Sequence, residues 1–401
     1  MWFFLAFRNL FRNFRRTVAV LFTVALGAGA LFAFDGFING VLNQYRYNTI
    51  HANYGHGQIM TKGYRETVFE EPKEHWISNG EKLTEFLNQQ KGVETVFPRA
   101  SFSALLENGK ITVSGLGTGI DAQKEAQFFE SLNVEEGKTL TDQQNGILLG
   151  RGLAKALHVE PGDSITVMAT SAKGVVNKDS FVVTGIFHTG SLDFDSRMFR
   201  IQLPKAQELM GTTKIELVSL AFSDFDEWNN VSAAVTKAFP GLEAIPFDVL
   251  DEVYYQHSVD WLKAQFRVVQ IIILSIVLLG IFNTISTTIL ERKQEIGNLR
   301  ANGESIFQVM QVIMAEGGML AIFGSVLGMA GSALFLILFI DKGLVLPPGP
   351  GMTRNFLVSF QFGWPMVFFT LAASSLAAIL ASFLAGIRVA RMSIASALRA
   401  H

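Results

Sequence analysis

Three long apolar runs interrupt the chain. Thr17–Phe34 passes 18 positions without a charge, Val268–Leu290 passes 23 and Gly317–Ile340 passes 24. Asn355–Ile387 is also uncharged, and Trp364–Gly386 is its most helix-like part. A bilayer core of ~30 Å needs about 20 apolar residues at helical rise, so the pattern predicts four membrane-spanning helices. Asp35 closes the first run, and GFINGVL after it extends the helix toward the interface. Between the first two runs the period changes. Gly80–Gln89 and Ala122–Ser131 carry helix-spaced apolar positions, whereas Lys110–Ser114, Ser164–Met168, Ser180–Thr184 and Glu216–Phe222 show the alternation or β-branching of strands. GRGLAKALHVEPGD (150–163) reads as a short helix and a Pro-Gly-Asp turn leading into the strand SITVMA. The expected fold is membrane α-helical, with four transmembrane helices and a large two-lobed α+β domain inserted between helices 1 and 2.

Composition agrees. Of 401 residues 49% are hydrophobic and 17% charged, below the ~25% charged of soluble domains. The chain has no cysteine, which excludes disulfides, thiol catalysis and thiolate metal sites. Sixteen residues precede the first run, no small-residue cleavage site follows it, and four arginines cluster unusually far in. The first run is therefore expected to be a retained anchor.

Arg8, Arg12, Arg15 and Arg16 precede the first run, and Arg388, Arg391 and Arg399 follow the last. Residues 41–265 hold 20 lysines and arginines against 29 acids, a net −9 that leaves +7 for the remainder. Basic residues favour the cytoplasmic side. Both termini are thus expected on the cytoplasmic side of the membrane, with residues 41–265 outside. In WFFLAFRNLFRNFRR, Arg8, Arg12 and Arg16 stack opposite Phe3, Phe7, Leu10, Phe11 and Phe14, the pattern of a helix lying in the interface. The expected division is an interfacial helix (1–16), spans at 17–40, 266–290, 306–340 (with a cytoplasmic lead-in) and 356–387, a cytoplasmic segment (291–304), an outer loop (341–355) and a cytoplasmic tail (388–401).

Catalytic patterns are missing. EEGKTL (135–140) offers Gly-Lys-Thr, but a phosphate-binding loop needs a glycine where Leu132 stands. The seven histidines show no metal-ligand spacing, and no GxSxG elbow occurs. Asp193 and Asp195 of SLDFDS fall on one side of a possible strand, where a solvated edge explains them better than a carboxylate pair. No catalytic residue, metal, bound cofactor or nucleic-acid partner is expected. Gly324, Gly328 and Gly331, with Gly36 and Gly40, have the spacing that lets helices approach closely, within the chain or across a dimer. Glu316 adjoins the third run. A helix entering the membrane near Ile306 would bury it deeply; the favoured reading keeps it at the cytoplasmic interface, facing Lys293 or Arg388.

ERKQEIGNLRANG (291–303) lies between the second and third runs. It is helix-compatible until Gly303, a plausible stop. Glu291 and Glu295 stack at i, i+4, as do Gln294 and Asn298, while Ile296, Leu299 and Arg300 take another side. A short helix with an Ile/Leu surface ringed by charge can dock in a groove; the plain alternative is a solvated turn.

E-R-x-x-E-I-G-x-L-R-A-x-G in this position resembles the coupling segment of MacB/FtsX-type (type VII) ABC transporter permeases. RVARMSIASALRA (388–400) resembles the family's ending, with Ser393 and Ile394 where a proline is common. GILLGRGLAKALHVEPGDSITVM (146–168) and FVVTGIFHTGSLDFDSRMFRIQLPKAQELM (181–210) look closest to LolC/LolE-type lipoprotein-releasing permeases. The resemblance implies a second permease copy or paralogue, surrounding membrane lipids, and two copies of a separate ABC ATPase that carries the ATP and Mg. It implies ATPase contact at Glu291, Arg292, Glu295, Ile296, Leu299, Arg300 and Gly303. The implied cargo is a lipoprotein, its acyl chains lying against Leu26, Leu31, Phe34 and Phe37 of the first span and Ile271, Leu274, Leu278 and Phe282 of the second. LolC-type subunits recruit a periplasmic lipoprotein chaperone through a proline-containing hook. Here Thr170–Lys178 is short and lacks proline, which leaves a LolE-like partner, a homodimer or a relative with another substrate. Two alternatives share the topology: a MacB-like efflux permease working with an adaptor protein and an outer-membrane channel, and an FtsX-like mechanotransmitter activating a periplasmic enzyme.

Overall fold

The uncharged runs form four long helices: span 1 (Phe14–Thr49), span 2 (His257–Glu291), span 3 (Ile306–Phe339) and span 4 (Trp364–Ala390). The computed structural model describes residues 14–68, 72–129, 133–140, 145–251, 257–340, 342–347 and 355–390. Of the interfacial helix expected at 1–16, residues 1–13 fall outside the described residues and 14–16 belong to span 1; of the family-type ending at 388–400, residues 391–400 fall outside them. Each long helix contains a stretch long and apolar enough to cross a membrane. Spans 1 to 3, of 36, 35 and 34 residues, each measure roughly 50 Å at helical rise, so they outrun a ~30 Å hydrocarbon core. Span 1 continues as helix beyond residue 40 to Thr49, then closes with a π-helical turn, Ile50–Tyr54. Span 3 starts at a capping box. The Ser305 hydroxyl accepts from the Gln308 backbone N–H, and the Gln308 side chain accepts from the Ser305 N–H at 2.7 Å, satisfying two donors that a bare helix end leaves open.

The spans pack around Val24, Val277, Ile281, Ile285 and Ile313, with Ala378, Ala381 and Ala385 supplying span 4's share. In lipid, helices gain little from hiding apolar surface and rely on close fit. Gly328 provides that fit, because a Cβ there would collide with the Ala25 carbonyl of span 1. Gly324 faces Leu21 and Val24 in the same way, and Gly36 and Gly40 lie against Phe362 and Ser359. Gly331 meets nothing within 4 Å. Four of the five spaced glycines therefore serve packing inside one chain. Between spans 3 and 4, the Ser325 and Ser374 hydroxyls are 2.6 Å apart.

The inserted domain contains β1 (Gly57–Thr61), β2 (Val93–Glu107), β3 (Thr112–Ile120), β4 (Val134–Gly137), β5 (Gly146–Gly150), β6 (Ser164–Thr170), β7 (Val176–Phe187), β8 (Met198–Gln202), β9 (Leu217–Phe222) and β10 (Leu242–Pro246). Its helices are α1 (Gly80–Asn88), α2 (Ala122–Phe128), α3 (Arg151–Leu157), α4 (Leu192–Arg197), α5 (Leu203–Met210) and α6 (Trp228–Ala238). Strand β2 organises both halves. Its first part pairs with β9, which with β1 and β10 carries α1 and α6 over a core of Ile59, Leu83, Val96, Leu220 and Val231. Its second part joins β3, β8, β5, β7 and β6, and β6 pairs back to β2, closing a ring of strands. Leu106, Ile147, Val167, Phe181 and Phe199 fill that second core. The register follows alternation: Phe102, Ala104 and Leu106 point inward, while Ser103 and Leu105 point out.

The structure corrects the strand expected at SLDFDS, which is α4. The Asp195 carboxylate accepts from the Thr189 N–H and hydroxyl, both at 2.8 Å, and this local bonding turns the chain out of the extended conformation. Asp193 is exposed and pairs with Arg197 one turn on. The two carboxylates therefore face different surroundings and form no pair.

Candidate functional site

Span 2 ends at Glu291, and the backbone leaves the helix at Arg292, with φ −90° and ψ 14°. A new helix, α7 (Lys293–Ala301), follows at once. Its stop is a Schellman motif at Gly303. Glu304 N–H reaches the Leu299 carbonyl and Gly303 N–H reaches Arg300 at 3.1 Å, and Gly303 holds φ +96°, a conformation that a side chain would strain. The break at Arg292 corrects the expectation of one helix through 291–303, so Glu291 and Glu295 do not share a continuous helix.

The break also reorients the side chains. Ile296 is 6% exposed and packs into the span core with Ile289, Val309 and Ile313. Expected at a docking surface, it instead anchors α7 to the spans, because an isoleucine gains more from that core than from water. Glu291, Gln294, Asn298 and Gly303 form the exposed side, Leu299 sits at its edge, and Arg300 is half-buried. Arg292 also turns inward. Its Nε donates to Glu295 at 3.0 Å and its Nη1 to Glu316 at 2.8 Å. Glu316 is thus in place on span 3, with Arg292 as its cation rather than Lys293; the Arg388 side chain lies outside the described residues. A cavity of about 60 Å³ lies beside the pair, lined by Ile289, Ile296, Leu299, Val312 and Leu320 among others.

The eight residues expected to line an acyl-chain site differ in exposure. Leu26 and Ile271 are exposed, Leu31 is sealed at 1% exposure, and Leu274 and Leu278 are intermediate. Phe34 and Phe37 stand edge-on to Phe266 of span 2, with centroids 6.0 and 6.5 Å away. Phe282 packs against the span core. Asp35, 7% exposed in span 1, accepts a hydrogen bond from Gln270 of span 2. An acid directly after an 18-residue apolar run was the available signal for this contact.

Sequence reasoning also missed a buried charge cluster in the inserted domain. Glu125 on α2 accepts from Arg99 Nε at 2.6 Å and Nη2 at 2.9 Å, and from Arg200 Nη1 at 2.7 Å. All three residues are at most 3% exposed. Burial pushes the Arg200 guanidinium down to about 10 against the pull of Glu125. Arg99 also lies 4.4 Å from the centre of the Phe129 ring and donates to the Asn53 carbonyl in the π-helical turn. A cavity of about 250 Å³ adjoins the cluster, lined by Glu125, Phe129, Leu148, Phe187 and Arg200 among others. Among the described residues no His, Asp and Glu group is arranged to hold a metal ion.

Four apolar helices, a large α/β insert after the first and a charged helix folded back after the second define a membrane permease subunit. A family model for the MacB-like periplasmic core domain matches residues 17–238, and one for the FtsX-like permease C-terminal region matches residues 267–394. The chain belongs to the MacB/FtsX-type permeases of ABC transporters, close to LolC and LolE. It is 26% identical to the lipoprotein-releasing system transmembrane protein LolC of Neisseria meningitidis serogroup B, across 82% of this chain and 78% of that one. It is 23% identical to LolE of Haemophilus influenzae across 94% and 92%. The crystal structure of the periplasmic region of MacB from Actinobacillus actinomycetemcomitans covers 49% of this chain and 92% of its own, at 16% identity and a TM-score of 0.38.

Proposed function

We propose that this chain is the permease half of an inner-membrane ABC transporter that moves lipoproteins out of the outer leaflet, and that α7 receives its motor. The observation that carries the reading is α7 itself, seated on the spans through Ile296 with Gln294 and Asn298 exposed. Two permease copies work with two ATPase subunits, and ATP and Mg bind to those partners. The charge asymmetry supports cytoplasmic termini and a cytoplasmic α7, with residues 41–265 periplasmic. Closure of the ATPases displaces α7, the spans carry the movement outward, and the periplasmic domain expels the cargo. The length of the match to LolC and LolE supports a lipoprotein cargo.

Two measurements test this reading. Asn298→Trp places bulk on the exposed side of α7, and Arg300→Glu reverses a half-buried charge one turn beyond Ile296. The ATPase should then be lost on purification, or its hydrolysis uncoupled from release; a normal complex with normal coupling sinks the role of α7. For cargo, the complex is purified natively and analysed by mass spectrometry. Acylated protein is expected, whereas a copurifying adaptor or cell-wall hydrolase would replace this cargo with an efflux or a mechanotransmitting role.

A further inference from the structure

Arg292 occupies the only residue between span 2 and α7. Its guanidinium bridges two elements, meeting Glu295 in the first turn of α7 and Glu316 well inside span 3. Ten residues separate Glu316 from the start of span 3 at Ile306, about 15 Å along the helix axis. Arg292 and Glu316 are each 14% exposed. A charge-assisted bond at 2.8 Å in such a setting is directional and stiff. The apolar contact beside it is looser, because a cavity of about 60 Å³ there is lined by Ile296 and Leu299 of α7 and by Val312 and Leu320 of span 3, among others. Close-packed interiors rarely leave room for a side chain to shift; here the inner face of α7 has that room.

We infer that Arg292 is the positioning residue that transmits the displacement of α7 to span 3. Its guanidinium holds α7 and span 3 together as a pivot, and the cavity is the clearance into which the Ile296–Leu299 face tilts. This rests on the reading that α7 receives the ATPase. Lysine could not replace Arg292 fully, because a single ammonium lacks the planar fork that holds two carboxylates at once.

The absence of cysteine makes the test direct. Leu338→Cys, at an exposed position near the far end of span 3, takes a spin label in the full chain purified with its copurifying ATPase. The label's spectrum is compared without nucleotide and with ATP and vanadate. Wild-type Arg292 should give a nucleotide-dependent change. Arg292→Met should retain the ATPase yet reduce that change by about fivefold or more, the lower end of ordinary coupling between sites, with Arg292→Lys in between. Val312→Phe fills the clearance without touching a charge and should suppress the change as well; it decides the matter if Arg292→Met does not fold. A full-sized change in Arg292→Met, or in Val312→Phe, overturns the inference while leaving the role of α7 intact. Failure of the wild-type chain to retain any ATPase overturns the underlying reading instead, and the inference with it.

Discussion

The spans and the inserted domain differ in how much charge they bury outright. The spans bury hydroxyls, such as Ser325, Ser374 and Ser382, and gain their fit from glycines and alanines. The inserted domain buries two guanidiniums and a carboxylate outright. The contrast follows from the solvent each region faces. Helices in lipid have little apolar surface to hide from water and so depend on approach distance, which makes added bulk their chief vulnerability. The domain folds by withdrawing apolar surface from water, and that larger driving force tolerates a costly ionic cluster so long as every charge keeps its partner.

The largest effect should therefore come from added bulk between spans. Gly328→Leu forces a side chain into the Ala25 carbonyl and should cost on the order of 4 kcal/mol or more, the range of severe overpacking. Gly331→Leu, one turn on and facing open space, should change stability by less than about 0.5 kcal/mol. Thermal unfolding of the detergent-solubilised chain, read by size exclusion, compares them. Equal melting temperatures would show that glycine spacing here does not govern packing.

Next should come the charge cluster. Glu125→Gln leaves two buried guanidiniums facing a neutral amide and should destabilise the inserted domain by about 3–5 kcal/mol. The combined change Arg99→Met, Glu125→Leu and Arg200→Met removes every charge, and should recover most of that loss. Limited proteolysis of the full chain reads both. If the apolar version is as unstable as Glu125→Gln, the cluster supplies net stability that its burial argues against.

These contrasts also mark what could be read from the chain. The spans were legible because a bilayer dictates the length of an uncharged run, and Gly303 because a left-handed stop favours glycine. The second core was legible in part: Ser164–Met168 lies within β6 and Ser180–Thr184 within β7. The charge cluster was not, since Glu125 stands 26 residues from Arg99 and 75 from Arg200 and no local period joins them. The inward turn of Ile296 and Arg292 depends on a break at a residue that has no glycine or proline to announce it. At SLDFDS, the alternation of carboxylates imitated a strand, while the hydrogen bonds of Asp195 to Thr189 decided for helix.

The smallest effect, and the one that sharpens the account of the domain, concerns pH. Two groups near the π-helical turn are shifted in opposite senses. Burial, aided by His51 and Arg46, pushes His56 down to about 4, and its Nδ1 accepts from the Phe222 N–H at 3.1 Å, a bond that protonation removes. Burial raises Asp251 to about 6 despite a hydrogen bond from Tyr54. Between the ordinary histidine value of 6.5 and about 4, the unfolded chain takes up a proton that native His56 refuses, so its contribution to stability is lost as pH falls through that window. For Asp251 the native state holds the proton between 3.8 and about 6, so its contribution is present at low pH and lost as pH rises. Each should be worth on the order of 2 kcal/mol after allowance for partial exposure, a few degrees in melting temperature for a domain of this size. Together they oppose one another between about pH 4 and 6. His56→Gln should leave a melting temperature that falls as pH rises through that interval, and Asp251→Asn one that falls as pH drops. Parallel pH profiles for the two variants would mean that neither burial governs the titration.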